Sequence, residues 1–244
     1  MNDSLKNYKR TCILLSGGVG ARMGASTPKQ YIQVKEKPII EYTLQTVSAW
    51  KSMDSLIIVA DKDWHSYLEK LVLSVLNENE HFFQFLGFAE PGKNRQLSIF
   101  NAMNMLRDYL SEDAIVMIHD GVRPCLSTSL LERCDTELDK GSCDGVMPYL
   151  EVKDTIYLKD IEDKISGMLD REALVAGQTP EFFDYWKYLK ANEILSDDEM
   201  MTIHGSTEPA VKAGMKITLV PGDEGNFKIT TPEDLEKFQA LVYK

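Results

Sequence analysis

The 244-residue chain is 43% hydrophobic and 27% charged, with 15 Gly and 9 Pro, a balance that fits one large or two small folded domains and excludes disordered and collagen-like chains. Its net charge of -11 sets aside a protein that wraps nucleic acid, which needs clustered cations, but leaves room for one phosphorylated ligand in a locally basic cleft. No apolar run approaches the roughly 18 residues of a bilayer helix, and the polar residues 1–10 are unlike a secretory signal, so no membrane or nucleic-acid partner is expected and a cytoplasmic location is.

Residues 11–16 (TCILLS) form a short β-compatible run that ends in glycines. Pro38 then opens a helical segment to Trp50, with Ile40, Leu44 and Val47 at helical spacing. Residues 56–60 (LIIVA) give a second buried strand, 64–76 an amphipathic helix, 82–88 a third strand and 95–110 a helix through Ile99, Met103 and Leu106. Residues 114–119 (AIVMIH) give a fourth strand, running into Asp120-Gly121. This alternation predicts a parallel sheet covered by helices on both faces, with ligands at the carboxyl edge of the strands. After Pro148 the pattern changes: residues 152–166 are polar and hairpin-like, too hydrophilic for a central strand, and suggest an arm projecting from the core. A last strand at 216–220 precedes a C-terminal helix with Thr231 as N-cap, Pro232 at the first helical position and Asp234 in the first turn. One domain spanning 1–244, with an arm at about 150–172, is the expected organisation. Cys12, Cys125, Cys134 and Cys143 are widely spaced without CxxC, which points to free thiols rather than a zinc or redox motif.

Four segments carry possible chemistry. The first is Ser16-Gly17-Gly18-Val19-Gly20-Ala21-Arg22-Met23-Gly24, followed by Pro28-Lys29-Gln30. It reads either as a plain turn or as a phosphate cradle, in which backbone N–H groups approach an anion while Arg22 and Lys29 neutralise it. No GK[ST] follows, and Met23 stands where a GxGxxG fingerprint needs Gly, so neither a Walker A loop nor a dinucleotide motif is present. The second segment is His119-Asp120-Gly121-Val122-Arg123-Pro124. Asp120 at a strand end suits either a magnesium ion bridged by phosphates or a simple turn, Arg123 suits an anion or a pair with Asp120, and His119 reads as a packed strand-end residue. The third, Pro91-Gly92-Lys93-Asn94-Arg95-Gln96-Leu97-Ser98, is a turn into a helix N-terminus, suited to an anion or base edge or simply to a capped helix. The fourth is Asn226-Phe227-Lys228-Ile229-Thr230-Thr231-Pro232-Glu233-Asp234-Leu235, which alone is only a helix start with a lysine before it.

In this order, GGxGxRM with PKQ, HDxxRP, Gln178-Thr179-Pro180 and NxKITTPEDL, the chain resembles the 2-C-methyl-D-erythritol 4-phosphate cytidylyltransferases and their relatives, the ribitol-5-phosphate cytidylyltransferases, from about residue 11 to 241. The resemblance implies transfer of CMP from CTP to a polyol phosphate with release of pyrophosphate and use of Mg2+. It also implies an α/β, Rossmann-like three-layer nucleotidyltransferase fold whose β-arm clasps a partner into a homodimer. By motif, Arg22 and the loop glycines Gly17, Gly18 and Gly20 would cradle the triphosphate, and Lys29 and Lys228 would meet charge at the α-phosphate. Asp120 would hold magnesium, with Gly121 beside it in the nucleotide site, while Ser16, Gly17, Gly92 and Ser98 would read cytosine. Arg123, Thr155, Arg171 and Thr179 would hold the acceptor, Thr155 and Arg171 being lent by the partner's arm.

Two departures bear on the acceptor. The family's Thr-Asp-rich segment is replaced here by Ile203-His204-Gly205-Ser206-Thr207-Glu208-Pro209-Ala210, and Lys93 stands where an acid is common. Gly177, Asp63-Trp64, Asn94-Arg95 and Ser98-Ile99 lean towards the ribitol branch, so D-ribitol 5-phosphate is the expected acceptor and methylerythritol phosphate the alternative. Another nucleotidyltransferase, using UTP or GTP, and a non-catalytic nucleotide-binding protein on the same fold complete the alternatives.

Overall fold

The structure is a computed structural model that describes residues 7–18, 27–78 and 81–243. The chain opens with β1 (Tyr8–Leu15), then a small antiparallel pair, β2 (Gln33–Val34) and β3 (Lys37–Pro38), which leads into α1 (Ile39–Ser48). Pro38 is the extended N-cap of α1 rather than its first residue, and Ile40, Thr43, Leu44 and Val47 form its buried stripe. β4 (Ser55–Val59) is buried throughout; α2 (His65–Glu78), β5 (Gln84–Ala89), α3 (Arg95–Leu106) and β6 (Leu110–Asp120) follow.

The expected helix over 95–110 stops at Leu106, and β6 starts four residues earlier than expected. The cause is tertiary: the Tyr109 carbonyl accepts N–H bonds from Asn7 and Tyr8, and Leu110 pairs with Tyr8, so the start of β1 captures a segment whose apolar spacing also suited a helix. The third strand likewise begins at Gln84 rather than Phe82, because Phe83 is buried in the core while Phe82 is exposed.

The second half of the chain contains α4 (Thr128–Asp139), β7 (Gly145–Glu151), the hairpin β8 (Tyr157–Lys159) and β9 (Ile165–Met168), then β10 (Val175–Gly177) and β11 (Glu181–Asp184). After them come α5 (Tyr185–Glu193), α6 (Asp197–Thr202), α7 (Thr207–Lys212), β12 (Ile217–Pro221) and α8 (Pro232–Val242). The β8–β9 hairpin is the expected arm: its turn is tied by Asp160, whose side chain accepts from Glu162 and Lys164 N–H, and it carries Tyr157, Ile161, Ile165 and Met168 exposed. α8 starts as predicted, with reciprocal capping by Thr231 and Asp234 and Pro232 in the first turn.

In the main sheet β5, β4, β1 and β6 run parallel, while β10 and β11 lie antiparallel along β7, β11 also pairing with β6. Val146 of β7 pairs with Phe182 on one side and with Thr218 of parallel β12 on the other. Side chains alternate between two cores: Cys12 and Leu14 face Leu44, Leu68 and Leu130, whereas Ile13 faces Ile99, Met103 and Tyr185. Helices therefore cover both faces, the three-layer arrangement expected. β1 and β6 lie side by side, with Leu15 opposite Asp120, yet the chain leaves them in different directions; the crevice at their carboxyl ends is where an open α/β sheet binds ligands.

Candidate active site at the carboxyl edge of the sheet

Just beyond β1, Ser16 is held from several sides. Its N–H donates to Val59 O, its carbonyl accepts from Gln30 Nε2 at 2.6 Å, and its hydroxyl lies 3.0 Å from the Tyr31 hydroxyl. Gln30 Nε2 also reaches Gly18 O at 3.0 Å, so the turn that carries Lys29 is bolted to the glycine segment. A Cβ on Gly17 would stand 2.7 Å from the Pro91 ring, which explains a glycine where the two loops touch. Across the crevice, Gly92 donates its N–H to Ser98 Oγ at 2.9 Å, Ser98 donates its own proton to Asn94 O at 2.9 Å, and Asn94 caps α3.

Ser16, Gly17, Gly18, Lys29, Gly92, Ser98, Asp120 and Lys228 thus line one cavity of about 440 Å³. A second cavity, of about 430 Å³, adjoins it and is lined by Arg123, Thr179, Glu181, Ser206 and Thr207. Asp120, Arg95 and Lys228 face both.

Asp120 is the electrostatic centre. Arg95 Nε and Lys228 Nζ approach its carboxylate, only 7% exposed, to 3.1 Å each, and Arg123 Nε approaches it to 3.6 Å. Burial pushes this carboxyl up, but the charges of Arg95, Lys228 and Arg123 outweigh burial and hold it well below the usual carboxylate range. Lys228 is placed there because Ile229 N–H donates to Val122 O, while Asn226 donates from its side chain to Thr179 O and accepts from Arg123 Nη1 at its carbonyl. His119 points away into the core. Burial drives its imidazole down to about 3, so it is the packed, neutral strand-end residue expected.

Gly121 lines neither cavity; its N–H is spent on Leu15 O, where it stitches β6 to β1. Thr155 and Arg171 stand exposed on the arm, outside both cavities of this chain, and Arg171 donates to Lys153 O. Ser98 lines the nucleotide-sized cavity, its hydroxyl donating to Asn94 O and accepting from Gly92 N–H. Gly20 and Arg22 lie outside the described residues.

Three residues of the site had no role assigned from the sequence: Gln30 and Arg95, which stand within the motifs quoted above, and Glu181. Arg95 had a signal. A cation in the first position of a helix opposes the helix dipole, so its presence there asks for a tertiary partner, and it has Asp120, Ser206 Oγ at 2.8 Å and Glu181 at 3.8 Å. Among the described residues no group of three His, Cys, Asp or Glu side chains gathers for a metal. The donor set at Asp120 fits magnesium all the same, since that ion is commonly held by one or two carboxylates together with substrate phosphates and water.

A glycine turn and a helix N-terminus facing a strand-end aspartate, with cations aimed at one point between two cavities, define a nucleotidyltransferase site on a Rossmann-like sheet. The sequence profile of the family described as "IspD: 2-C-methyl-D-erythritol 4-phosphate cytidylyltransferase" matches residues 11–244, and the chain belongs to that family of CTP-dependent cytidylyltransferases. It is 36% identical to a 2-C-methyl-D-erythritol 4-phosphate cytidylyltransferase of Clostridium perfringens, over 93% of this chain and 96% of the relative. It is 31% identical to a ribitol-5-phosphate cytidylyltransferase of Vibrio parahaemolyticus, over 94% of each. Among solved structures it is similar to a 4-diphosphocytidyl-2C-methyl-D-erythritol synthase of Anaerococcus prevotii, with a TM-score of 0.77, 25% identity and coverage of 97% and 96% of the two chains. No helix among the described residues is long and apolar enough to cross a membrane.

Proposed function

We propose that the chain transfers CMP from CTP to D-ribitol 5-phosphate in the cytoplasm, forming CDP-ribitol and pyrophosphate. The observation that carries this reading is the meeting of two cavities at Asp120, Arg95 and Lys228. CTP occupies the first cavity, with its base against Gly92 and Ser16 and its phosphates towards Lys29 and the glycine turn. The polyol phosphate occupies the second, held by Arg123 and Thr179. A phosphate oxygen of the acceptor attacks the α-phosphorus of CTP, and the bond to the bridging oxygen of pyrophosphate breaks. No covalent enzyme intermediate is needed, because positioning and charge stabilisation suffice for in-line displacement. Lys29 and Lys228 face the negative charge that builds on the transferring and leaving groups. Magnesium, held by Asp120 together with the triphosphate, would supply further charge neutralisation there.

The acceptor reading draws support from the second cavity, where hydroxyl and carboxylate groups of Ser206, Thr207 and Glu181 suit a polyol chain. Methylerythritol phosphate is the second reading, favoured by the 36% identical relative. The arm, with its exposed Tyr157, Ile165 and Met168, is assigned to a homodimer in which Thr155 and Arg171 reach the partner's acceptor cavity. The experiment is pyrophosphate release from CTP and magnesium with the two acceptors supplied in parallel. Turnover of ribitol 5-phosphate is expected; turnover of methylerythritol phosphate alone replaces the first reading with the second.

A further inference from the structure

Glu181 follows Pro180 at the start of β11, with a side chain only 7% exposed, and it lines the second cavity. Ser206 Oγ donates to its Oε2 and Thr207 Oγ1 donates to its Oε1 at 2.5 Å. Arg95 Nη2 stands 3.8 Å away, beyond hydrogen-bond reach, while Arg95 Nε is committed to Asp120. A carboxylate has about four lone-pair positions, and the two hydroxyls occupy two of them. The cavity is therefore polarised. Arg123 and Lys228 gather around Asp120 at one end, and at the other the buried Glu181 carboxylate keeps acceptor capacity, the one cation within 4 Å of it among the described residues being Arg95 at 3.8 Å. A phosphate is repelled from the Glu181 end and attracted to the other, whereas hydroxyl donors are wanted at Glu181.

We infer that Glu181 is a specificity-determining residue that accepts hydrogen bonds from the hydroxyls of the acceptor chain and so directs its phosphate towards Asp120 and Lys228. The inference rests on the cytidylyltransferase reading of the second cavity. Ser206 and Thr207 act through Glu181 by fixing its two oxygens, which gives the segment 203–210 a role in which Glu208 has no part: Glu208 turns outward, accepting from His204 N–H and pairing with Lys212. An acceptor with one hydroxyl fewer and a methyl branch leaves lone pairs of a buried carboxylate unmet, so ribitol 5-phosphate is expected to be preferred over methylerythritol phosphate.

The test is steady-state kinetics of Glu181→Gln and Thr207→Val, varying each acceptor at saturating CTP and CTP at saturating acceptor. Glu181→Gln is expected to raise the KM for ribitol 5-phosphate about tenfold, to keep the KM for CTP within about twofold, and to shrink the preference over methylerythritol phosphate. Thr207→Val moves the same parameters in the same direction by less. An acceptor KM and an acceptor preference that stay at wild-type values overturn the assignment, as does a loss confined to kcat or to the KM for CTP, which marks Glu181 as a mere support for Arg95. Protection by CTP against thermal unfolding reports that each variant is folded, and if Glu181→Gln is not, the kinetics of Thr207→Val decide between the two outcomes. A wild-type enzyme that uses methylerythritol phosphate alone refutes the ribitol reading separately, and Glu181 is then judged by the same KM split with that acceptor.

Discussion

Replacing Asp120 with Asn keeps the shape of the side chain and removes the one negative charge that Arg95, Lys228 and Arg123 share at 3.1, 3.1 and 3.6 Å. Taking one partner out of a fully buried ion-paired group costs about 3–5 kcal/mol; here Arg95 and Lys228 are 30% and 34% exposed and Arg95 keeps Glu181, so the low end, about 3 kcal/mol, applies. For a chain of this size that corresponds, at roughly 2–4 °C per kcal/mol, to a fall in Tm of about 6–12 °C. The pH dependence gives a second, sharper signature. The native carboxyl of Asp120 sits well below its ordinary value of 3.8, so the stability it contributes is fully present above that value and is lost as pH falls through its depressed native value. The gap in stability between wild type and Asp120→Asn is thus flat from neutral pH down to about pH 4 and closes only in stronger acid. Thermal melts of both proteins across that range, without nucleotide or metal, provide the measurement. A variant that melts within about 1 °C of wild type at neutral pH, or a gap that already closes between about pH 7 and 5, refutes the picture of Asp120 as the counter-ion that holds three cations in place.

Gly92→Ala places a Cβ 2.4 Å from Leu97 Cβ and 2.8 Å from Ser98 N, so the turn must open; the KM for CTP should rise about tenfold while that for the acceptor stays put, with about 1–3 kcal/mol of stability lost to overpacking, read by kinetics and melting. Lys228→Ala should lower kcat about 10²-fold with the fold retained by circular dichroism; near-wild-type turnover removes Lys228 from the reaction. The His119 imidazole, driven to about 3 by burial, should give proton resonances that do not shift between about pH 5 and 8, and titration in that window contradicts its packing.

Much of this architecture is written locally. Residues 56–60 are apolar without a break because β4 is buried on both faces, and Thr-Pro-Glu-Asp spells a capped helix start that needs no tertiary help. What local pattern leaves hidden depends on contacts far along the chain. Tyr109 and Leu110 carry helical spacing, yet they join β1 across about a hundred residues. The antiparallel run of β10 and β11 is interrupted at Gln178-Thr179-Pro180 and too short to display a period. In the site, the glycine turn and Asp120 were legible because strand-end glycines and acids have few other uses in such a fold. Arg95 was legible only as a cation misplaced at a helix start and Glu181 not at all, since the first becomes a site residue only through Asp120, 25 positions away, and through Ser206, 111 positions away. Gln30 is similar: an amide whose importance lies wholly in the two carbonyls it finds.

The two cavities share a wall made of Arg95, Asp120 and Lys228, side chains drawn from the start of α3, the end of β6 and the segment before α8. Neither room can be altered at that wall without altering the other. Substitutions of Arg95, Asp120 or Lys228 therefore register on both substrates together, like a party wall shifted between two houses, while changes at Ser98 or Thr179 stay with a single tenant. Evolution of a new acceptor on this scaffold is accordingly confined to the far side of the second room, around Glu181 and the segment 203–210, where the walls can be rebuilt without disturbing the nucleotide.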